Sequence, residues 1–502
     1  VNRGIGRIVI LGGGPVAWLA AAALARAFRH RKLEVIVVDS GPSRDAPIGR
    51  WTLPSQRGMH ALIGIREVDF MRRTGATFKL ASEHVGWQGD GRFLHAHGDI
   101  GSDLGETPFY KYLLIQRLAG RSEKCEDYSV AAVAARLGRF ARPMGEENAL
   151  TSSFTYAFHI DEAAYVTYLR EHVVASGATR IEGHLADISL SDSGAVTALL
   201  LTGGQTISGD YFLDCSGPDA AIMSRLSSTE RQDWSAALPC DRMWSAKAPP
   251  IAEPAAVTQT TAMEAGWSWR APLANAQMVG HVYSSAYLDD DAALAQLHRA
   301  APEMGEPLQN EFTSGRRSKF WDRNCIALGS AAVELEPLAG GDLHLAQLGI
   351  ATLIELFPLD ARSTVEADEY NRVMGEHADG LRDFTLAHYR AARAPAGDFW
   401  SALRAAAMPA RLSEKLELYG ASGRINLVDF ESFEEVDWAW LLMGAGYLPD
   451  AIELQIRSRL ERVTAEEVAP LRTYVERIAA SMPRHIDFVQ RQGSQAPHAA
   501  KS

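Results

Sequence analysis

The sequence predicts an α/β fold: a parallel sheet assembled from distant segments of the chain, with a mostly helical lobe beside it. Three observations carry that prediction. The first is residues 8–29, where four apolar residues (Ile8, Val9, Ile10, Leu11) run into Gly12, Gly13 and Gly14 and then into an alanine-rich stretch with helical spacing. The second is a further apolar strand, 34–38, that ends in Asp39, twenty-five residues after Gly14. The third is a pair of later strands, 211–213 and 325–328, that end in small residues, Cys215-Ser216-Gly217 and Gly329-Ser330-Ala331-Ala332. Three strand ends that bring small residues to one edge imply one dinucleotide-binding domain stitched from separate segments.

In the first turn, each residue type answers a physical need. Gly12 permits the tight turn, Gly14 lets a pyrophosphate approach the backbone, and Ala17 stands where a small residue packs helix on strand. Pro15 suits the first helical turn, where a missing N–H is least costly. The remaining N–H groups and the helix dipole would hold a diphosphate, and Asp39 would accept the ribose hydroxyls of an adenosine. A glycine turn of this shape also occurs in ordinary βαβ units. A helix over about 56–73 and a strand over 75–81 follow, then irregular patterning over 90–150. His95 and His97 lie two apart there, on one face if extended. A metal pair would need a third ligand, none is in view, and a polar pocket wall is the expected role. Gly203-Gly204 reads as a hairpin turn. No second GxGxxG follows a strand, so no separate nicotinamide domain is expected. Helices are expected over 367–389, 398–407, 438–443 and 465–482. This arrangement resembles the discontinuous FAD-binding domain of glutathione-reductase-type flavoproteins. The boundaries expected are 1–90, 155–235 and 315–365 for that domain, 91–154, 236–314 and 366–490 for the substrate-binding lobe, and 491–502 for a disordered tail.

Composition sets the outer limits. The 502 residues suffice for a large core, and 47% hydrophobic with 22% charged residues describes a soluble globular protein. A net charge of −12 argues against nucleic acid and acidic membranes as partners. Apolar runs are broken by charge before they could span a bilayer, and the first strand starts so early that no signal peptide is expected. The four cysteines show no CxxC and no zinc spacing, which fits a reduced, cytoplasmic compartment. No GxSxG elbow, HExxH or P-loop is present.

Three motifs together resemble the flavin-dependent halogenases of the tryptophan-halogenase family. GGGPVAW (12–18) is similar to the family's GGGxAGW, GATFKL (75–80) to the segment carrying its catalytic lysine, and GWSWRAPL (266–273) to its WxWxIP box. FHID (158–161), DCSG (214–217), EPL (336–338) and RDF (382–384) match in the expected order. The resemblance implies FAD, used as FADH2 supplied by a separate flavin reductase, with halide and dioxygen yielding hypohalous acid that passes to Lys79. An ammonium can hydrogen-bond that acid and raise its electrophilicity, and an amine can form a haloamine. Either role requires an enclosed lysine whose pKa desolvation lowers. The same resemblance assigns Gly12, Gly14, Pro15, Val16, Ala17, Asp39, Arg50, Leu185 and Leu343 to the cofactor, Gly341 and Asp342 to halide, and His95, Trp267 and Trp269 to the substrate and the wall between substrate and flavin. An aromatic substrate and a possible homodimer complete the expected partners.

The chain also departs from the family. Where the family reads EPLEST-G, this sequence has Glu336-Pro337-Leu338-Ala339-Gly340-Gly341-Asp342, so Ala339 stands in place of the glutamate thought to assist the lysine. An inward Asp342 carboxylate would repel halide at low dielectric. The flavin strap, GxGEATIP in the family, reads Gly49-Arg50-Trp51-Thr52-Leu53-Pro54. Arg50 could pair with the flavin or merely fill space. The aromatic partner expected near His95 is His97, which turns the expected substrate away from free tryptophan and toward an indole or a larger electron-rich aromatic. The leading expectation is an FADH2-dependent halogenase using bromide or chloride. A halide-independent flavin monooxygenase or oxidase of the same fold, and a flavin-binding protein with little catalysis, stay open beside it.

Overall fold

Ile8, Val9, Ile10 and Leu11 are each almost completely buried, and a strand apolar on both faces belongs in the middle of a covered parallel sheet. The computed structural model describes residues 5–42, 47–88, 91–146, 149–226, 230–358, 364–392 and 397–494. The chain divides into two units, one of Val1–Thr74, Ile160–Met243 and Leu308–Asp379, the other of Gly75–His159, Trp244–Pro307 and Gly380–Ser502. In the first unit the strand Arg7–Leu11 sits inside a six-stranded sheet. Its order is Trp321–Asp322, Cys325–Ala327, Tyr211–Asp214, Arg7–Leu11, Glu34–Asp39 and Thr179–Glu182. The pairings are parallel (Ile8 opposite both Tyr211 and Val35, Phe212 opposite Cys325, Ile36 opposite Thr179), except at the short antiparallel edge Trp321–Asp322. Parallel pairing brings Leu11, Asp39, Asp214 and Ala327 to one edge of the sheet, where such folds bind ligands.

The helix Pro15–Ala27 is buried continuously from Ala17 to Leu24, between the helices Glu162–Ala175 and Asp342–Glu355. Its run of alanines lets those neighbours approach closely. The buried Asp214 carboxylate accepts from Ser216 N and Oγ and from the backbone N–H groups of Ile222 and Met223 at 2.6–3.2 Å. The aspartate of DCSG is thus satisfied by the turn it closes. The strand Val196–Leu201 pairs with Leu185–Leu190 and with Thr206–Ser208, the latter through the Gly203-Gly204 turn, where Gly204 has φ +82°.

Two expectations from the sequence need correction. The helix over 56–73 is two helices, Ser55–Ile63 and Glu67–Thr74, because Gly64 at φ +78° ends the first in a left-handed cap. The strand over 75–81 is likewise two, Thr77–Lys79 and Ala81–Val85, which belong to different sheets. Leu80 is the crossing point: its N–H goes to Ala256 O (2.7 Å) and its carbonyl accepts from His97 N (2.8 Å). Of the expected tail, 491–494 belong to the helix His485–Ser494, and 495–502 lie outside the described residues.

In the second unit, Gly266–Pro272 pairs antiparallel with both Val257–Met263 and Gln277–Tyr283. Ala81–Val85 joins Val257–Met263 in parallel, and Arg92–Ala96 joins Ala81–Val85 antiparallel. Helix Asp290–Ala300 covers Gln277–Tyr283, and helix Glu435–Gly444 covers Arg92–Ala96. The strand Thr77–Lys79 is anchored by Phe78, which stacks on Phe140 with centroids 4.0 Å apart and meets Tyr156 and Phe488 edge-on.

Gly280 lies opposite Trp269 in the ladder, and a Cβ there would stand 2.5 Å from the indole. The buried ring cannot move aside without displacing its strand. Gly280→Ala is therefore expected to lower stability by about 1–3 kcal/mol, measured by chemical denaturation, and an unchanged midpoint would contradict this packing.

Candidate active site

The glycine turn is shaped by close approach. Gly12 has φ +144°, and a Cβ on it would lie 2.3 Å from Cys215 O, so the first and third strand ends meet at this residue. A Cβ on Gly13 would fall 2.1 Å from Gly41 O and 2.6 Å from the Asp39 carboxylate. Gly13 is thus sterically required, although the sequence pattern singled out only its neighbours. Gly14 differs: a Cβ there would meet nothing within 4 Å. It is the N-cap of the helix Pro15–Ala27, has no side-chain cap, and is followed by the buried Pro15. Open space over uncapped N–H groups is the arrangement a dinucleotide diphosphate fits. Ala17 is fully buried, and Val16 packs against Gly329 at the fourth strand end.

Asp39 is engaged within the protein. Its Oδ1 accepts from Gly41 N (3.0 Å) and its Oδ2 from Arg180 Nε (2.7 Å). Both oxygens keep a lone pair for a ribose hydroxyl, and Arg180 is brought in by the pairing of Thr179–Glu182 with Glu34–Asp39. Leu185 is half-buried at the start of its strand, and Leu343 is buried in the first turn of the helix Asp342–Glu355.

The residues that depart from the family pattern touch one another. Arg50 grips Glu162 with Nε and Nη2 at 2.7 and 3.1 Å and pairs with Asp342 through Nη1. The Asp342 charge is therefore met by a guanidinium. Gly341 is the N-cap of the helix that Asp342 begins, and Gly340 is left-handed at φ +65°. A Cβ on Gly340 would come 2.7 Å from the Trp51 ring, so the added indole and the lost serine side chain occupy the same space.

Lys79 lies in the second unit, 1% exposed, with Nζ 3.1 Å from His97 Nε2. Desolvation lowers its pKa to about 7, with the Asp437 carboxylate pulling the other way. Burial, then the Lys79 charge, then His95 and His159 hold His97 well below the ordinary histidine value. His84 and His159 are lowered too, chiefly by burial and in part by Lys79. His95 donates from Nε2 to Asp437 Oδ1 at 3.0 Å and meets Phe384 edge-on. Asp437 Oδ2 accepts from Glu434 N, in the capping box that starts the helix Glu435–Gly444. Trp267 and Trp269 are both buried on one face of Gly266–Pro272, with Arg270 exposed on the other.

The structure therefore brings Lys79, His95 and His97 together, and separately Arg50, Asp342 and Gly340 with Trp51. It adds Asp437, Glu162, Arg180 and Gly13. Asp437 carried a signal in Glu434-Glu435-Val436-Asp437, a capping pattern before an apolar run, and Glu162 follows FHID directly. Nothing in the sequence joined either to its distant partner.

A buried lysine with a depressed pKa makes stability depend on pH with a definite sign. Below about pH 7 both folded and unfolded chains carry the charge and its burial penalty is complete; the penalty fades as pH rises toward the unfolded value. Lys79→Met is expected to be more stable than wild type by up to a few kcal/mol near neutrality, with the gap closing toward about pH 10. Denaturation midpoints of both proteins across that range check this, and a gap independent of pH would refute it.

The tryptophan halogenase family model matches residues 7–459. Among solved structures, BrvH, a flavin-dependent halogenase from Brevundimonas sp. BAL3, is 33% identical, superposes with a TM-score of 0.91, and is matched over 97% of this chain and 99% of its own. A flavin-dependent halogenase from Xanthomonas campestris is 32% identical with a TM-score of 0.91 over 99% and 100% of the two chains. Tryptophan 6-halogenase ThaL from Streptomyces albogriseolus is 29% identical over 449 residues, 85% of this chain and 84% of its own. No helix among the described residues is long and apolar enough to cross a membrane. The chain belongs to the tryptophan halogenase family, and is thus a flavin-dependent enzyme of the oxidoreductase class that uses FADH2 from a separate reductase together with halide.

Proposed function

We propose that this protein halogenates an electron-rich aromatic, such as an indole, with bromide or chloride, and that Lys79 acts on the hypohalous acid. The observation that carries the proposal is a lysine 1% exposed, with its pKa lowered to about 7 beside a neutral histidine. Gly12, Gly14 and the first N–H groups of Pro15–Ala27 would hold the diphosphate of FAD, and Asp39 the ribose. Bound FADH2 would supply, from dioxygen and halide, hypohalous acid.

At Lys79 the chemistry balances with one proton given and one taken. The ammonium donates a hydrogen bond to the oxygen of the acid, which makes water the leaving group. The ring's π pair forms the carbon–halogen bond as the oxygen–halogen bond breaks toward oxygen, which takes the lysine proton. The proton lost from the ring carbon restores the ammonium, so arene and hypohalous acid become haloarene and water. A pKa of about 7 lets both protonation states be populated at neutral pH. Without a carboxylate at Ala339 the ring must be nucleophilic in itself, which favours indoles and makes bromide outperform chloride.

Halide would lie against the N-terminus of the helix Asp342–Glu355, where Arg50 offsets the Asp342 charge. Replacing Arg50 leaves Asp342 and Glu162 facing the same space as two uncompensated carboxylates. Arg50→Met is expected to raise the bromide concentration for half-maximal product roughly tenfold, and an unaltered bromide dependence would separate Arg50 from the halide.

The function itself is tested with indole, bromide, FAD, NADH and a separate reductase. Lys79→Ala should retain FAD binding, while brominated product falls by roughly 10²-fold or more. Equal product from both proteins would mean that free hypobromous acid does the chemistry. Oxygenated product formed without halide would favour the halide-independent reading. In the absence of the reductase, NADH should leave the flavin oxidised.

A further inference from the structure

Lys79 needs something to aim it, and the place of the family's assisting glutamate is held by Ala339. What the lysine touches is His97, Nζ to Nε2 at 3.1 Å. An ammonium has no lone pair, so Nε2 is the acceptor and the proton of the neutral imidazole resides on Nδ1. His97 is in turn fixed by its backbone. Its N–H donates to the carbonyl of Leu80, the residue after the lysine, and its own carbonyl accepts from Thr155 N, both at 2.8 Å. The imidazole is therefore tied to the chain segment that carries Lys79, and it is 7% exposed.

The other charged and titratable groups around the lysine are engaged elsewhere or act through space. Asp437 spends Oδ1 on His95 and Oδ2 on the Glu434 N–H. His159 contacts Thr77 and Thr258 through its two ring nitrogens, and His84 contacts Thr260 through Nδ1. Asp437 favours the ammonium by its field, while His84 and His159 lie near enough to feel the lysine charge without bonding it.

We propose that His97 is the positioning residue of Lys79: its neutral imidazole accepts one Nζ–H and so directs the other two at hypohalous acid, in place of the carboxylate that Ala339 lacks. This deepens the reading of Lys79 given above and rests on it. Since His97 stabilises the ammonium, its loss lowers the proton affinity of Lys79. The active ammonium form then disappears at lower pH.

The test has two arms. In the flavin-free full chain, NMR of isotope-labelled lysine reads the Lys79 titration in wild type, His97→Leu and His97→Gln, with Lys79→Ala to assign the signal. His97→Leu is expected to lower the midpoint from about 7 by about one unit, and His97→Gln, whose amide oxygen can accept, to restore most of it. With indole, bromide, FAD and a separate reductase, product from His97→Leu is expected to fall roughly tenfold at neutral pH, with its high-pH limb shifted downward alongside the titration and with His97→Gln again restoring it. Hypobromous acid release, trapped by a small β-diketone, should be unchanged. A wild-type titration and pH limb in His97→Leu, while Lys79→Ala loses product, would overturn the role of His97 and leave that of Lys79 standing. Undiminished product from Lys79→Ala would instead defeat the reading of Lys79, with the NMR arm still deciding whether His97 holds its ammonium. Should His97→Leu fail to bind FAD, His97→Phe keeps a ring without the acceptor and takes its place.

Discussion

Taking an ammonium out of water is the constraint on which the second unit is built. A charged amine in an apolar interior costs several kcal/mol unless groups around it compensate or its proton leaves easily. The compensation here is partial: one hydrogen bond to His97 and the field of Asp437. Holding a lysine in such a place requires a rigid segment, and Phe78 supplies it by stacking on Phe140. Leu80 then passes the chain into the next sheet, where its carbonyl takes the His97 N–H. Anchoring, crossing and pairing occupy three consecutive residues, and a side chain that would otherwise seek solvent has nowhere to go.

In the first unit the governing fact is that changes from the family pattern come in contacting sets. An arginine in the strap and an aspartate at the helix start would each be unfavourable alone, the one as an uncompensated half-buried cation and the other as an anion facing the Glu162 carboxylate. Together, and with Glu162, they form a network that ties the strap to the helix Asp342–Glu355. Trp51 and Gly340 make the same argument in volume rather than charge, since the indole fills the space a Gly340 Cβ would need. Each pair reads as one change distributed over two positions.

The parts of this architecture legible in the sequence are those governed by local rules. The glycine turn after an apolar strand, the helix behind it, the second strand ending in Asp39 and the hairpin at Gly203-Gly204 follow from backbone chemistry within a few residues. The break at Gly64 was written in the sequence as a glycine, yet the surrounding periodicity masked it. The split at Leu80 could not be read, because it depends on Ala256 and His97 arriving from elsewhere. The same holds for the site: Lys79 and His95 were identifiable through motif resemblance, whereas Asp437 reaches His95 across more than three hundred residues of chain. Arg50 and Asp342 were each visible as anomalies, and only the fold turns two anomalies into a pair.

Lys79 is desolvated enough to exchange its proton near neutrality, and a titration of that one side chain in the wild-type protein tests this most directly. NMR of isotope-labelled lysine, following the Nζ signal from acid to alkaline pH, is predicted to give a midpoint at about 7. A midpoint near the ordinary lysine value of about 10.4 would contradict it and return Lys79 to the status of a solvated cation.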